Sequence, residues 1–166
     1  MRWVTREYVH VDRTACPWLL KRFIDPEAEF IFAPAERIPD IVKKRKAIPY
    51  DLPDIELGHH GDRCSFDAFI EKYKINDPAV LELAKIVRAA DTDKPDAPEA
   101  AGLDALMTGI SMDAKDDHEA IEKARTIYDA FYTFCKLRLL HQKYKIEIEK
   151  MDRKERRMFL ARKLLE

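Results

Sequence analysis

Residues 3–34, WVTREYVHVDRTACPWLLKRFIDPEAEFIFAP, decide the fold. WVT reads as a short β-strand. Asp12 then stands as a possible N-cap, and residues 13–24 carry a helical stripe of Ala15, Trp18, Leu19 and Phe23. Pro17 falls within the first turn or so, where its missing N–H is tolerated. After Asp25-Pro26, EAEFIFAP alternates apolar and polar residues and stops at a proline, which reads as a second strand. Strand, helix, strand over about thirty residues predicts a βαβ unit, two parallel strands joined by a right-handed crossover.

Downstream, residues 35–46 read as a surface helix with Ile38, Ile41 and Val42 inward. IPYDLPD (48–54) reads as a loop and residues 55–57 as a short strand. Gly58-His59-His60-Gly61-Asp62 is then a tight polar loop. Ser65 is expected to cap the next helix, with Phe66, Phe69, Ile70 and Tyr73 inward. Asp77-Pro78 pairs an N-cap with an N1 proline and opens a helix through residue 90. DTDKPDAP is a turn or exposed loop, and residues 97–110 form an Ala-rich helix. Asp116 or Asp117 caps a long helix with the stripe Ile121, Ala124, Tyr128, Phe131, Cys135 and Leu139. Asp152 and Glu155 form a capping box for a last helix whose inward residues are Met158, Ala161 and Leu165. The expected class is α+β: an α/β-like N-terminal half with a small sheet, then a mainly helical half. A cleft between the halves is the natural place for a site.

At 166 residues the chain fits one domain and can bury a core without disulfide or metal staples. No apolar run approaches the roughly 20 residues of a membrane span, and the start MRWVTREYVH lacks a signal-peptide h-region. The expected location is the cytoplasm, with no membrane partner. Cys16, Cys64 and Cys135 are read as reduced thiols, since their number is odd and they are widely spaced. The net charge of −1 hides an asymmetry. Residues 137–166 hold ten Lys/Arg against five Asp/Glu, and residues 1–136 hold twenty against twenty-six. A basic tail on an acidic body can meet nucleic acid or dock on an acidic neighbour; regular apolar punctuation favours docking and a homo-oligomer. The chain is therefore divided into a domain at 1–136 and a helical, basic extension at 137–166.

Polar residues collect where predicted strands end and helices begin. Asp12-Arg13 opens a helix after a strand, where free N–H groups favour an anion and Arg13 adds a bidentate donor. The plainer reading is a cap and a structural ion pair. His10 shares a face with Asp12 if the strand persists. His59-His60 with Cys64 and Asp67 is the densest cluster of ligand-type residues, although its spacing matches no zinc signature. Only one of the two histidines is expected at a site. Cys64, just before a helix, is expected either to have a lowered thiol pKa or to be a small buried hydrophobe. Asp116-Asp117-His118 holds more acid and imidazole than a cap needs. Asp91 and Asp93 lie at a helix C-terminus, against the dipole, and so call for a metal, an arginine or solvent. There is no Gly-rich phosphate loop, GxSxG or HExxH.

These segments, together with ELGHHGDRCSFDAFIEKY, IVRAADTD and DDHEAIEKARTIYDAFY, resemble the chromate-resistance protein domain that forms the C-terminal part of ChrB-type chromate-responsive regulators. The resemblance covers residues 3–135, with several motifs in order. It implies a prokaryotic protein linked to chromate resistance and stress, a sensor or accessory factor rather than a transporter. The family pattern falls on Asp12, Arg13, Trp18, Arg22, Asp25, His59, Cys64, Phe66, Asp67, Asp91, Asp117 and His118; His10 and His60 fall at variable positions. Full-length regulators carry a further N-terminal half thought to handle DNA, so a stand-alone repressor role and nucleic-acid binding are not expected of this chain.

The leading expectation is a domain that binds an oxyanion or a metal. His59, His118 and Asp117, with Asp12 or Asp91, would hold a divalent metal such as zinc or iron, and Arg13 and Arg22 would neutralise the anion. An enzyme, hydrolytic or redox, is the alternative, with Asp67 as general base and Cys64 as a reactive group. The third reading is an interaction protein without chemistry. Sequence leaves open whether any reaction is catalysed.

Overall fold

A computed structural model describes residues 1–92 and 97–166. Strand β1 (Arg2–Arg6) is the centre of a three-stranded sheet. Strand β2 (Glu29–Ala33) lies on one side and β3 (Ile48–Pro49) on the other, both parallel to β1. Helix α1 (Val11–Leu19) continues into a π-helical turn, Leu20–Ile24, and connects β1 to β2. The βαβ unit expected from residues 3–34 is present, and the α+β class with it. Pro17 sits at the seventh helical position, deeper than the first turn.

Period-two alternation sorts the strand residues between two cores. Trp3 and Phe30 join the main core with Leu19, Phe66, Phe69, Leu83 and Tyr128. Val4 and Ala33 join a smaller one with Ile38 and Ala47. Each large apolar side chain fully buried this way contributes about 1.5–3 kcal/mol. Helix α2 (Ile38–Arg45) follows a 3₁₀ turn at Ala35–Arg37, so the helix expected over 35–46 starts three residues late. Helices α3 (Ser65–Lys72), α4 (Pro78–Asp91), α5 (Ala100–Asp113), α6 (Asp117–Lys143), α7 (Lys145–Glu149) and α8 (Arg153–Leu165) complete the chain. Asp77 accepts N–H bonds from Ala79 (2.8 Å) and Val80 (3.0 Å), the cap its Asp-Pro pair predicts. Asp116 caps α6 through the Glu119 N–H (2.8 Å), and Asp152 with Glu155 forms the expected capping box. α6 runs unbroken across residue 136.

Five local readings are corrected. The strand is at Ile48–Pro49, not at 55–57. Residues 51–58 instead close a compact loop, with the Asp51 N–H on the Leu57 carbonyl (2.9 Å) and Asp51 and Asp54 both at positive φ. Gly58 permits that closure, because a Cβ there would lie 2.2 Å from the Leu52 carbonyl oxygen. Cys64, not Ser65, is the N-cap of α3, with Asp67 reaching back to its N–H (3.2 Å). Asp12 is inside α1, whose N-cap is His10. The helix read at 97–110 occupies Ala100–Asp113. In α8 the buried residue is Leu160, while Met158, Ala161 and Leu165 face solvent. The helical period was right and its phase was wrong: α8 rests on α6 with Leu160 buried, and the Phe159 ring meets Tyr144, the residue that follows α6, edge-on at 5.3 Å. Asp93 and the middle of the DTDKPDAP segment lie outside the described residues.

From β1 the chain goes to β2 on one side and later to β3 on the other. Connections that leave neighbouring strands in opposite directions open a crevice at the carboxyl ends of those strands, the usual ligand position in parallel sheets. The loops after β1 and β3 meet there.

Candidate functional site

Four segments converge at that crevice. Asp12 comes from the first turn of α1, Asp51 from the loop after β3, His59 from the loop before α3, and Asp91 from the last residue of α4. His59 Nε2 lies 3.3 Å from Asp12 Oδ2, 3.3 Å from Asp51 Oδ1 and 3.2 Å from Asp91 Oδ2. Asp12 and Asp51 are buried, whereas the His59 side chain is 44% exposed and forms the mouth of the cluster.

The carboxylates are held by more than the imidazole. Asp12 accepts backbone N–H bonds from Ser65 (2.5 Å) and Phe66 (3.3 Å), the first residues of α3, so an acid on one helix fills the open donors of another. Asp91 Oδ1 accepts the Asp12 N–H (3.3 Å). Asp51 accepts from the Ser65 hydroxyl (3.0 Å) and from Arg13 (3.0 Å), with Arg6 also at 3.3 Å. Three acids in one low-dielectric place repel each other, and protonation relieves this. The hydrogen bond to Asp12, and the charges of Asp12, Asp91 and Asp51, outweigh burial and raise the His59 pKa to about 9. Burial, then the Asp12 charge, raises Asp91 to about 7 despite the opposing His59. Without a further cation, the cluster therefore holds protons near neutrality.

Among the described residues, Asp12, His59 and Asp91 form a group whose ligand atoms lie within 4.8 Å of one another. One imidazole and carboxylates, with a solvent-facing side, are donors that zinc, iron(II) or manganese accept. Asp91, anomalous against its helix dipole, has found its partners here.

Asp117 and His118 are not brought to this group. The Asp117 carboxylate accepts from Tyr8 N (3.0 Å) and Val9 N (2.9 Å), clamping the β1–α1 loop with Tyr8 at positive φ. The His118 ring meets Phe32 edge-on at 5.1 Å. Arg13 is committed to Asp51 and to the Tyr8 carbonyl (3.1 Å). Arg22 pairs with Asp129 (2.8 Å) and stacks on Tyr132, tying α1 to α6. Trp18 donates to the same Asp129 oxygen (2.9 Å). His10 meets Thr108 (3.1 Å) and Asp104, and His60 meets the Glu56 carbonyl (2.9 Å). Asp25 accepts from Trp3 Nε1 (3.0 Å) and anchors β1.

Of the two readings of Cys64, the small buried hydrophobe agrees with the structure and the lowered thiol pKa does not. Cys64 is fully buried, and burial with the charges of Asp12 and Asp67 pushes the thiol upward, so it stays protonated and shielded. Cys16 and Cys135 are buried as well. Asp67 is buried and pairs with Arg88 on α4 (2.7 Å), which leaves it poorly placed to take a proton from water. Asp51 was missed in the sequence, as was Arg6. The loop reading of IPYDLPD concealed Asp51; read as a strand, Ile48-Pro49 places Asp51 at a strand's carboxyl end.

The family described as "ChrB, C-terminal domain" matches residues 3–135. Protein ChrB of Cupriavidus metallidurans is 30% identical over 134 residues, 80% of this chain and 40% of that protein, so the chain spans less than half of that relative. No solved structure matches. Among the described residues, no helix is long and apolar enough to cross a membrane.

Proposed function

The chain belongs to the ChrB C-terminal-domain family, and on that premise we propose that it is the ligand-binding part of a cytoplasmic chromate-resistance system, binding a divalent cation through Asp12, His59 and Asp91. The observation that carries this reading is the convergence of three carboxylates on one half-exposed imidazole at the switch point of the sheet. Such a concentration of negative charge suits a cation and repels a bare oxyanion. Asp51 is neutralised in part by Arg13 and Arg6, which leaves Asp12 and Asp91 facing the single positive charge of protonated His59. A bound cation supplies the positive charge on which a small oxyanion such as chromate can rest, beside the two guanidinium groups. The chain's own residues hold the cation, keep its inner side dry and, through His59, leave the outer side open. Nothing in this arrangement requires turnover, so a sensing or accessory role is the reading.

A second reading has an observation of its own. Asp12 also fills the N–H groups of Ser65 and Phe66, so the cluster is a structural joint between α1, α3 and α4 even without a cation. Elemental analysis after incubation with zinc and dialysis separates the two. A stoichiometric ion, lost in His59→Ala and Asp91→Asn but kept in His118→Ala and Asp117→Asn, is the expected result. If zinc, iron(II) and manganese neither stay bound nor raise the melting temperature, the structural joint is the whole account. Chromate binding is then measured by calorimetry on zinc-loaded and zinc-free chain, since zinc undergoes no redox step with the anion.

A further inference from the structure

Two helices carry apolar faces that no other described residue of the chain covers. α5 is apolar almost all round: from Ala97 to Met112 the only charged residues are Glu99 and Asp104, in a protein that is 37% charged. Such a helix is normally buried on every side. Yet Ala101, Gly102, Ala105, Leu106, Gly109 and Met112 are exposed, Met112 to 84%. A Cβ at Gly102 or Gly109 would meet nothing within 4 Å, so both glycines face open space, where they only weaken the helix. The second face is on α8, where Met158, Ala161 and Leu165 point outward, Leu165 being 90% exposed.

The two faces match in spacing and in charge. Gly102 and Gly109 are seven residues apart, as are Met158 and Leu165, which sets each pair about 10.5 Å apart along its helix. Two side chains on one helix thus meet two gaps on the other. Asp104 and Asp113 border the α5 face, while exposed Arg157 and Arg162 border the α8 stripe. Each acid is already paired once within the chain, with His10 and Lys123 respectively. We propose that α8 of one copy of this chain docks on α5 of a second copy, Met158 and Leu165 seating over Gly102 and Gly109, with the contact repeated about a two-fold axis. Reciprocity places each basic tail on the acidic body of its partner and uses both exposed faces of both copies.

Cysteine cross-linking tests the pairing, because Cys16, Cys64 and Cys135 are all buried and give little background. Full-length Gly109→Cys and Leu165→Cys chains are mixed, oxidised mildly with diamide and run on a non-reducing gel. The expected product is a cross-linked dimer in the mixture and not in either chain alone. Self-linking of Gly109→Cys would mean that α5 meets α5, and self-linking of Leu165→Cys that the tails meet each other; either overturns the proposal. No cross-link from folded chains, checked by circular dichroism, overturns it too and leaves the faces to a different partner. Light scattering adds a second readout. Wild type is expected near twice the 19.4 kDa chain mass, and Gly102→Leu with Gly109→Leu, at positions where an added Cβ meets nothing within 4 Å, near the single-chain mass.

Discussion

Asp12 and Asp117 make the same local interaction in different company. Each sits in the first turn of a helix, and each carboxylate accepts two consecutive backbone N–H groups from another segment. Asp12 is buried, with Asp51, Asp91 and His59 around it. Asp117 is half-exposed, and its histidine neighbour turns away to Phe32. One motif yields a concentrated charge and the other a clamp on a loop. The difference comes from what the rest of the fold delivers to the same spot, not from the residues next door.

The largest effect that can sharpen this contrast is Asp12→Ala. It leaves two buried N–H groups without an acceptor and removes the acid that hydrogen-bonds His59, so a loss of about 3 kcal/mol is expected in urea unfolding. A loss under about 1 kcal/mol would mean that the cluster contributes little to the fold. Gly58→Ala comes next, at roughly 2 kcal/mol, because its Cβ would collide with the Leu52 carbonyl and push the His59 loop outward. Zinc affinity should fall with it, whereas Asp117→Ala should cost about 1 kcal/mol and leave zinc affinity unchanged.

The smallest effect is pH-dependent. The Asp91 pKa is raised from 3.8 to about 7 and that of His59 from 6.5 to about 9, so the folded chain holds more protons than the unfolded one across both intervals. Metal-free stability should therefore fall as pH rises from about 4 to 7 through Asp91, and again from about 6.5 to 9 through His59. Asp91→Asn should flatten the first fall and raise metal-free stability at pH 8 by on the order of 1 kcal/mol. Zinc should stabilise more at pH 8 than at pH 6, because it no longer competes with those protons. Thermal melts at the two pH values check the sign; equal zinc shifts would separate the metal from these two residues.

What the sequence disclosed follows the range of the forces involved. Caps at Asp77, Asp116 and Asp152 are local hydrogen bonds, and they were legible. So was the βαβ unit, because alternation and helical period are written over five to twelve residues. The β3 strand was not, since two residues have no period and only pairing with Trp3 and Val4 makes them a strand. His59, Asp12 and Asp91 could be named as candidates by residue type and by family resemblance, but their meeting depends on contacts across as many as 79 residues. Asp117 and His118 looked equally good for the same reason. The phase of α8 failed differently: a helix with apolar residues on two sides does not say which side its own chain will take.

The cluster draws on Asp12, Asp51, His59 and Asp91, so three of its four members leave the ribosome well before the last one. Until α4 has been made and docked, the nascent chain displays aspartates and a histidine on unconnected loops, without the geometry to select an ion. A tightly held cation would then act as a seal on the docking of α4, separating molecules in which α1, α3 and α4 have met from those in which they have not.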